Sequence, residues 1–375
     1  MNNQRNNPNN GYNTYQQNRQ GKPTQSSQGR KKKLRFKPNK DGMIALAILI
    51  LIVAVAITLV TLTITAIIGA VTNVSEETTP VHTEEIIVPE AKWNDGFTVK
   101  TVANTGVSEG DLILVNFEHA YAEALSENLT LYTLAGTEGY SNYFVCHDYS
   151  TTIRSSIATQ LKALAKALKE ACADTMEGEY VLFNSGFRSY AKQQSLYDNK
   201  TSDNYVALPG HSEHHTGLAV DIQIFNKDKR TVQLRDAELA WMEAHCAEYG
   251  FVIRYDGSKF EKTGILDEPW HYRYVGVAHA TYMMESGLCL EEYLELLKTS
   301  HTYEQEPLTI TADETEYLVY YVAASAEETT TLVPVPPESV GKYTISGDNM
   351  NGFIVTVKKP SPAAESTETT AASAN

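Results

Sequence analysis

Four cysteines in 375 residues is a sparse supply, and none of them sits in a CxxC or CxxH spacing. That excludes a cysteine-rich scaffold and a paired-cysteine metal or redox motif. Glycine-rich phosphate loops are also missing. No Rossmann or P-loop signature is present, so nucleotide chemistry has no support. Aromatic side chains are missing where nucleic-acid binding would need them: the basic run Arg30–Lys40 has only Phe36 among its cations. Charge is absent altogether from Met43 to Val71, and that absence is informative. The run exceeds the roughly 20 residues a helix needs to cross a bilayer.

The net charge of -15 conceals an asymmetry. Residues 1–41 contain ten Lys/Arg and one acid, so they carry +9 and the remainder carries -24. The cations lie just before the apolar run. The positive-inside rule therefore keeps residues 1–41 in the cytoplasm and puts everything after about residue 72 outside the membrane. A cleaved signal peptide fits less well, because the run is long and starts far from the N-terminus. The expected protein is single-pass, anchored in the cell membrane by one N-terminal helix, with no nucleic-acid partner.

Composition divides the chain further. Residues 1–41 form a basic tail, rich in Asn, Gln, Gly and Ser over its first thirty residues and expected to be disordered. Residues 42–72 are the transmembrane helix and 73–90 a polar, acidic stalk. A main domain is expected at 91–300, a small β unit at 301–359 and a disordered tail at 360–375. The four cysteines Cys146, Cys172, Cys246 and Cys289 all fall in the outer part. An even count there permits two disulfides, and buried free thiols are equally compatible.

The main domain mixes two periodicities. Ile153–Met176 places Ile153, Ile157, Leu161, Leu164, Leu168 and Cys172 at amphipathic-helix spacing. Tyr180–Phe183 reads as a buried strand. A second helix is predicted at Arg235–Tyr249 with Gly250 as its stop, a strand at Phe251–Tyr255 and a third helical region at about 275–298. In the small unit, Glu316–Ala323 and Gly352–Lys358 read as strands. The fold class is α+β.

Three elements carry chemistry. The first is Pro209–Ile222 (PGHSEHHTGLAVDI), which offers His211, His214, His215 and Asp221 as metal ligands, with Gly217 and Ala219 small enough for close approach. Spacing alone does not choose among the histidines. The second is Glu268-Pro269-Trp270-His271. It adds another imidazole and an acid near, but not beside, that imidazole, which suits a general base. The third is Asn184–Gln193 (NSGFRSYAKQ), directly after the Tyr180–Phe183 strand. It puts Arg188 at a strand-to-helix turn, where a guanidinium fork can meet a carboxylate or an oxyanion. Each element alone also has an ordinary reading as core or surface residues.

Taken together, the three resemble the D-Ala-D-Ala carboxypeptidases of the vancomycin-resistance type (VanY-like), zinc peptidases whose wider group includes D-Ala-D-Ala dipeptidases and a Hedgehog-related fold. The pattern S-x-H-x-x-G-x-A-x-D followed by E-x-W-H is met by Ser212, His214, Gly217, Ala219, Asp221, Glu268, Trp270 and His271. An S-G-[YF]-R-S element is met at Ser185–Ser189, with Gln193 at the usual Gln, and the resemblance spans roughly 105–300. It implies a Hedgehog/DD-peptidase-like zinc domain. His214, Asp221 and His271 would be the Zn2+ ligands, Glu268 the general base and Arg188 the oxyanion-stabilising residue. Ser212 and Gln193 would line the substrate site. His147, His211 and His215 are left without a role.

The implied reaction is hydrolysis of the terminal D-Ala from D-Ala-D-Ala-ending peptidoglycan stem peptides, outside the membrane. Three alternatives stand beside it: an L,D-endopeptidase or a D-Ala-D-Ala dipeptidase with the same chemistry, a zinc-containing binding module without turnover, and a wall-binding protein acting through residues 301–359.

Overall fold

The computed structural model describes residue 93 and residues 95–136, 142–200 and 206–360. The basic tail, the apolar run, the stalk and residues 361–375 lie outside the described residues. Among the described residues, no helix is long and apolar enough to cross a membrane.

Fourteen strands are described: β1 (Thr98–Ala103), β2 (Leu131–Thr133), β3 (Phe144–Cys146), β4 (Thr152–Arg154), β5 (Tyr180–Ser185), β6 (Ala219–Phe225), β7 (Thr231–Val232), β8 (Phe251–Ile253), β9 (His271–Tyr274), β10 (Leu308–Ala312), β11 (Thr315–Ala323), β12 (Thr330–Val335), β13 (Lys342–Gly347) and β14 (Gly352–Lys358). The longer helices are α1 (Ala158–Ala171), α2 (Tyr190–Asp198), α3 (Asp236–His245), α4 (Val277–Ser286) and α5 (Leu290–Ser300).

The main sheet runs β3-β5-β6-β9-β8, with β7 pairing β6. Only the β3–β5 pair is parallel; the others are antiparallel. Helix α1 covers one side of it. Its Leu161, Leu164, Ala165 and Leu168 recur at i, i+3, i+4 and i+7 and join Val181, Phe183, Val220, Ile222 and Ile224 in one core.

The predicted helix over Ile153–Met176 begins late. Ile153 belongs to β4, which pairs β2, and Ser155–Ile157 is a 3-10 turn. Tertiary bonds override the helical spacing here: Arg154 N donates to Gly217 O at 2.9 Å and Arg154 Nε to Thr216 O at 3.0 Å. The predicted helix at Arg235–Tyr249 is α3 plus a tighter 3-10 turn over Cys246–Tyr249, before Gly250. The predicted strand at Phe251–Tyr255 stops at Ile253, and the region at 275–298 is two helices parted at Gly287. All four cysteines are free thiols.

Strands β10-β11-β14-β13 form a second, antiparallel sheet, and β12 pairs β1 from the start of the main segment. The core does not break at residue 300. Leu112, Leu114, Val275, Leu290, Tyr293 and Leu297 pack in one cluster with Leu308, Ile310, Val319, Tyr321 and Ile354.

Candidate metal and active site

Strand register assembles the site. In the main sheet Ser185 lies opposite Asp221, and Asp221 lies opposite His271. The β5–β6 pairing slips between Phe183 and Ser185, an irregularity of the kind that redirects side chains beside active sites. His214 arrives from the 3-10 turn Glu213–Thr216 just before β6. That turn ends in Gly217 at φ 66, where a Cβ would lie 2.9 Å from Arg154 N. Only glycine meets both the left-handed backbone and the close approach.

His214, Asp221 and His271 are buried, and one donor atom from each lies within 4.8 Å of the others. Asp221 Oδ1 is 3.5 Å from His214 Nε2 and 3.2 Å from His271 Nδ1, and it accepts no hydrogen bond. The far side of each ring fixes its tautomer. His214 Nδ1 donates to Gly186 O at 2.7 Å, and His271 Nε2 donates to Glu213 Oε2 at 3.3 Å. An oxygen acceptor on one nitrogen leaves the other free to offer a lone pair toward Asp221, the arrangement by which a second layer of side chains orients metal-binding imidazoles.

The buried acid and imidazoles shift one another. Burial would raise the Asp221 carboxyl, yet the His214 and His271 imidazoles hold it well below the carboxylate range. Burial would lower His271, yet the Asp221 and Glu213 carboxylates bring it up to about 9. The raised His271 shows that positive charge is favoured between these groups, and a divalent cation in place of that proton would supply it.

Glu268 is also buried, with a carboxylate oxygen 3.9 Å from His271 Nδ1. Desolvation by burial is the main reason its acid rises to about 7, against the opposing pull of His271 and Arg188. Arg188 Nη2 lies 3.9 Å from Asp221 Oδ2. Its fork is held by Gln193 Oε1, which accepts from Nη1 at 2.8 Å, and by Ser185 Oγ, which accepts from Nη2 at 3.0 Å. His214, Asp221, His271, Glu268, Arg188 and Gln193, with Ser212, Asn116, Phe117, His211, Tyr255 and Trp270, line a cavity of about 170 Å³.

The structure therefore brings together His214, Asp221, His271, Glu268, Arg188 and Ser212. Gln193 is also at the cavity wall, though little of it is exposed: its Nε2 donates to Ala207 O at 2.6 Å while its Oε1 holds Arg188. His215 stacks on Tyr190 with ring centroids 4.3 Å apart. It donates from Nδ1 to Arg188 O and accepts from Gly210 N at Nε2, and burial lowers its pKa to about 4. It pins backbone on both sides of the cavity as a neutral ring. His211 donates from Nδ1 to Asn116 O at 2.7 Å.

Sequence reasoning missed the ion network behind the site. Glu213 Oε1 accepts from Arg254 Nε and Arg273 Nη1, each at 2.8 Å, and all three side chains are buried. Arg254 in turn forks onto Glu291, at 2.9 and 2.7 Å. A signal did exist: Arg254 and Arg273 each interrupt an otherwise apolar and aromatic strand, and such charges stay buried only when paired.

A family model described as VanY, D-alanyl-D-alanine carboxypeptidase, matches residues 150–277. A D-alanyl-D-alanine carboxypeptidase of Enterococcus faecium is 31% identical over 260 residues, covering 69% of this chain and 78% of that protein. The bifunctional D-Ala-D-Ala dipeptidase and carboxypeptidase VanXYC of Enterococcus gallinarum is 32% identical over 162 residues, covering 40% of this chain and 81% of that one. Among solved structures, the vancomycin-resistance D,D-dipeptidase VanXYg, in complex with a D-Ala-D-Ala phosphinate analog, aligns with a TM-score of 0.57 at 30% identity, over 70% of this chain and 99% of that one. With an α+β fold like that structure's and an extensive match to the enterococcal enzyme, the chain belongs to the VanY family of D-alanyl-D-alanine carboxypeptidases.

Proposed function

We propose that this protein is a zinc carboxypeptidase that removes the terminal D-Ala from D-Ala-D-Ala-ending peptidoglycan stem peptides, on the outer side of the membrane. The observation that carries the reading is the convergence in one cavity of three ligand atoms within 4.8 Å, a raised buried acid and a clamped guanidinium.

His214 Nε2, Asp221 and His271 Nδ1 would hold the ion. Two imidazoles, one carboxylate and an open position are a catalytic zinc donor set. The unpartnered Asp221 Oδ1 fits a cation directly. When bound, zinc supplies a Lewis acid for the scissile carbonyl and lowers the pKa of water. Glu268, with a pKa of about 7, is suited to accept a proton from the attacking water at neutral pH. The water oxygen bonds to the penultimate carbonyl carbon, and the developing oxyanion lies beside the Arg188 guanidinium. Glu268 then delivers the proton to the leaving nitrogen as the C–N bond breaks. The products are a shortened peptide carboxylate and free D-Ala. Ser212 lines the same cavity and would line the substrate site.

The membrane anchor rests on the uncharged run Met43–Val71 and the cations before it. A single-pass helix would keep the cavity beside lipid-linked substrates. Labelling of residues after 72 from outside intact cells checks this orientation.

A second reading has its own support. VanXYC is named for dipeptidase as well as carboxypeptidase activity, and VanXYg for dipeptidase activity. Full-length protein in detergent, given a D-Ala-D-Ala-ending pentapeptide and free D-Ala-D-Ala separately, distinguishes the two. One D-Ala released per pentapeptide, lost on chelation and restored by Zn2+, supports the carboxypeptidase. Turnover of the dipeptide alone transfers the assignment to a dipeptidase.

A further inference from the structure

We propose that the C-terminal sheet builds one wall of the active site, and that Asn349 is a positioning residue for the substrate peptide. The inference rests on the reading that the metal cavity takes a peptide end.

The turn joining β13 to β14 is stiff. Asp348 Oδ1 accepts from Met350 N at 2.7 Å and from Gly352 N at 3.0 Å. Asn349 sits at φ 60, a left-handed conformation that asparagine tolerates better than most residues. This turn grips the segment 107–120 at several points. Asn349 N donates to Val107 O at 2.6 Å and Gly347 N to Glu109 O at 2.7 Å. Leu114 N donates to Asp348 O at 3.0 Å, and Leu112 N to Ser346 Oγ at 2.9 Å. The backbones nearly touch: a Cβ on Gly347 would lie 2.1 Å from Val107 O.

One side chain closes the loop. Asn349 Nδ2 donates to Leu114 O at 2.8 Å and to Ala120 O at 3.0 Å, tying together two residues six positions apart. Between those residues lie Asn116 and Phe117, which line the metal cavity. Asn116 is held in turn. Its Oδ1 accepts from Glu118 N and His119 N, and its Nδ2 donates to Glu291 Oε1 at 3.2 Å. Phe117 is 47% exposed even so. Its ring lies against Gly264, where a Cβ would come within 2.8 Å, so Phe117 spans the gap between the 114–120 loop and the 260–268 segment.

Phe117 lines two spaces, the metal cavity and an open groove bounded by Leu114, Glu261, Glu295 and Met350. Asn116 and Thr263 also line both spaces, so the cavity and the groove adjoin along the edge that holds Phe117. A peptide with its end at the metal ligands and its remaining residues along that groove would pass Phe117. The sheet therefore presents an aromatic edge to the part of the substrate that lies beyond the D-Ala-D-Ala end.

The test is calorimetric binding to zinc-loaded, full-length protein carrying Glu268→Ala, which blocks turnover. The ligands are a D-Ala-D-Ala-ending pentapeptide and free D-Ala-D-Ala. Asn349→Gly removes the bridging amide, keeps the left-handed backbone and adds no charge. It is expected to raise the pentapeptide Kd roughly five- to tenfold, as for one or two lost hydrogen bonds in a positioning loop, and to change the dipeptide Kd by less than about twofold. A merely structural role would weaken both ligands together, and that outcome overturns the inference, as does no change in either. If Asn349→Gly does not fold, Asn349→Asp, which keeps the side-chain shape and loses both donors, takes its place. A parent protein that binds neither peptide sinks the substrate reading and the inference with it. A parent that binds both, with the variant unchanged, sinks the inference alone.

Discussion

Glu213→Gln separates metal support from fold support more cleanly than any ligand substitution. Glu213 is 1% exposed and bonds to three partners: Arg254, Arg273 and His271. Burial would raise its carboxyl, but Arg254 and Arg273 hold it well below the carboxylate range, so it is ionised at every working pH. The amide keeps the shape and removes the charge. Arg254 keeps Glu291, and Arg273 keeps the carbonyls of Asp111, Ile113 and Tyr274, so neither guanidinium is left bare. Breaking a buried pair typically costs about 3–5 kcal/mol, and these residual partners place the loss toward the lower figure. For a folded unit of this size, each kcal/mol is worth roughly 2–4 °C, so Tm should fall by at least ~6 °C.

The metal effect is separate. Losing a carboxylate behind a metal-binding imidazole typically costs 10- to 100-fold in affinity. Chelator competition measures the zinc Kd, and thermal melts of the metal-free protein measure the fold. Glu291→Gln is the internal control, since it weakens the fork on Arg254 without touching His271. The expected pattern is a stability loss in both variants and a zinc loss only in Glu213→Gln. Equal zinc affinities in the two variants would refute the assignment of Glu213 as the residue that orients His271.

Glu268→Gln should lower kcat by roughly 10²–10⁴-fold while zinc content stays at one per chain, checked by metal analysis beside a D-Ala release assay. Gln193→Leu removes the acceptor that holds Arg188 Nη1 and should cut kcat/KM by about tenfold or more with zinc affinity unchanged; loss of zinc instead would argue against a role confined to Arg188. His279 is buried between Tyr293 and Thr356, and burial lowers its pKa from 6.5 to about 3. The fold then binds fewer protons than the unfolded chain in that window, so this stability is complete above pH 6.5 and is lost as pH falls toward 3. His279→Gln should make the decline of stability below pH 6.5 shallower by up to about 1.4 kcal/mol per pH unit, read by denaturant unfolding at several pH values.

The residues that the fold gathers in the cavity were legible in the sequence because chemistry restricts their type. A metal-binding imidazole, its carboxylate partner and a nearby acid cannot be exchanged for look-alikes, and short spacings such as His214–Asp221 or Glu268–His271 survive across a single junction of turn and strand. The supporting residues follow a weaker rule. Glu213 lies inside the motif itself, but an acid between Ser212 and His214 looks solvent-facing until Arg254 and Arg273 arrive from strands about 40 and 60 positions away. Gln193 was legible as a cavity residue, but nothing in its spacing shows that its Oε1 braces the Arg188 guanidinium. Local patterns failed where long-range bonds competed with them: Ile153 and Ile157 keep helical spacing, yet Arg154 is held to the Gly217 turn, and the helix cannot start until that bond is made. The same reasoning applies to the C-terminal residues. Strand periodicity in Glu316–Ala323 and Gly352–Lys358 identifies a sheet, but it takes long-range bonds such as those from Asn349 to Leu114 and Ala120 to reveal that the sheet reaches the loop lining the metal cavity. A unit that looked separable by composition thus shares a core with the rest and bonds to the loop beside the cavity, so on the proposal above its removal should disturb peptide binding before any attachment to the cell wall.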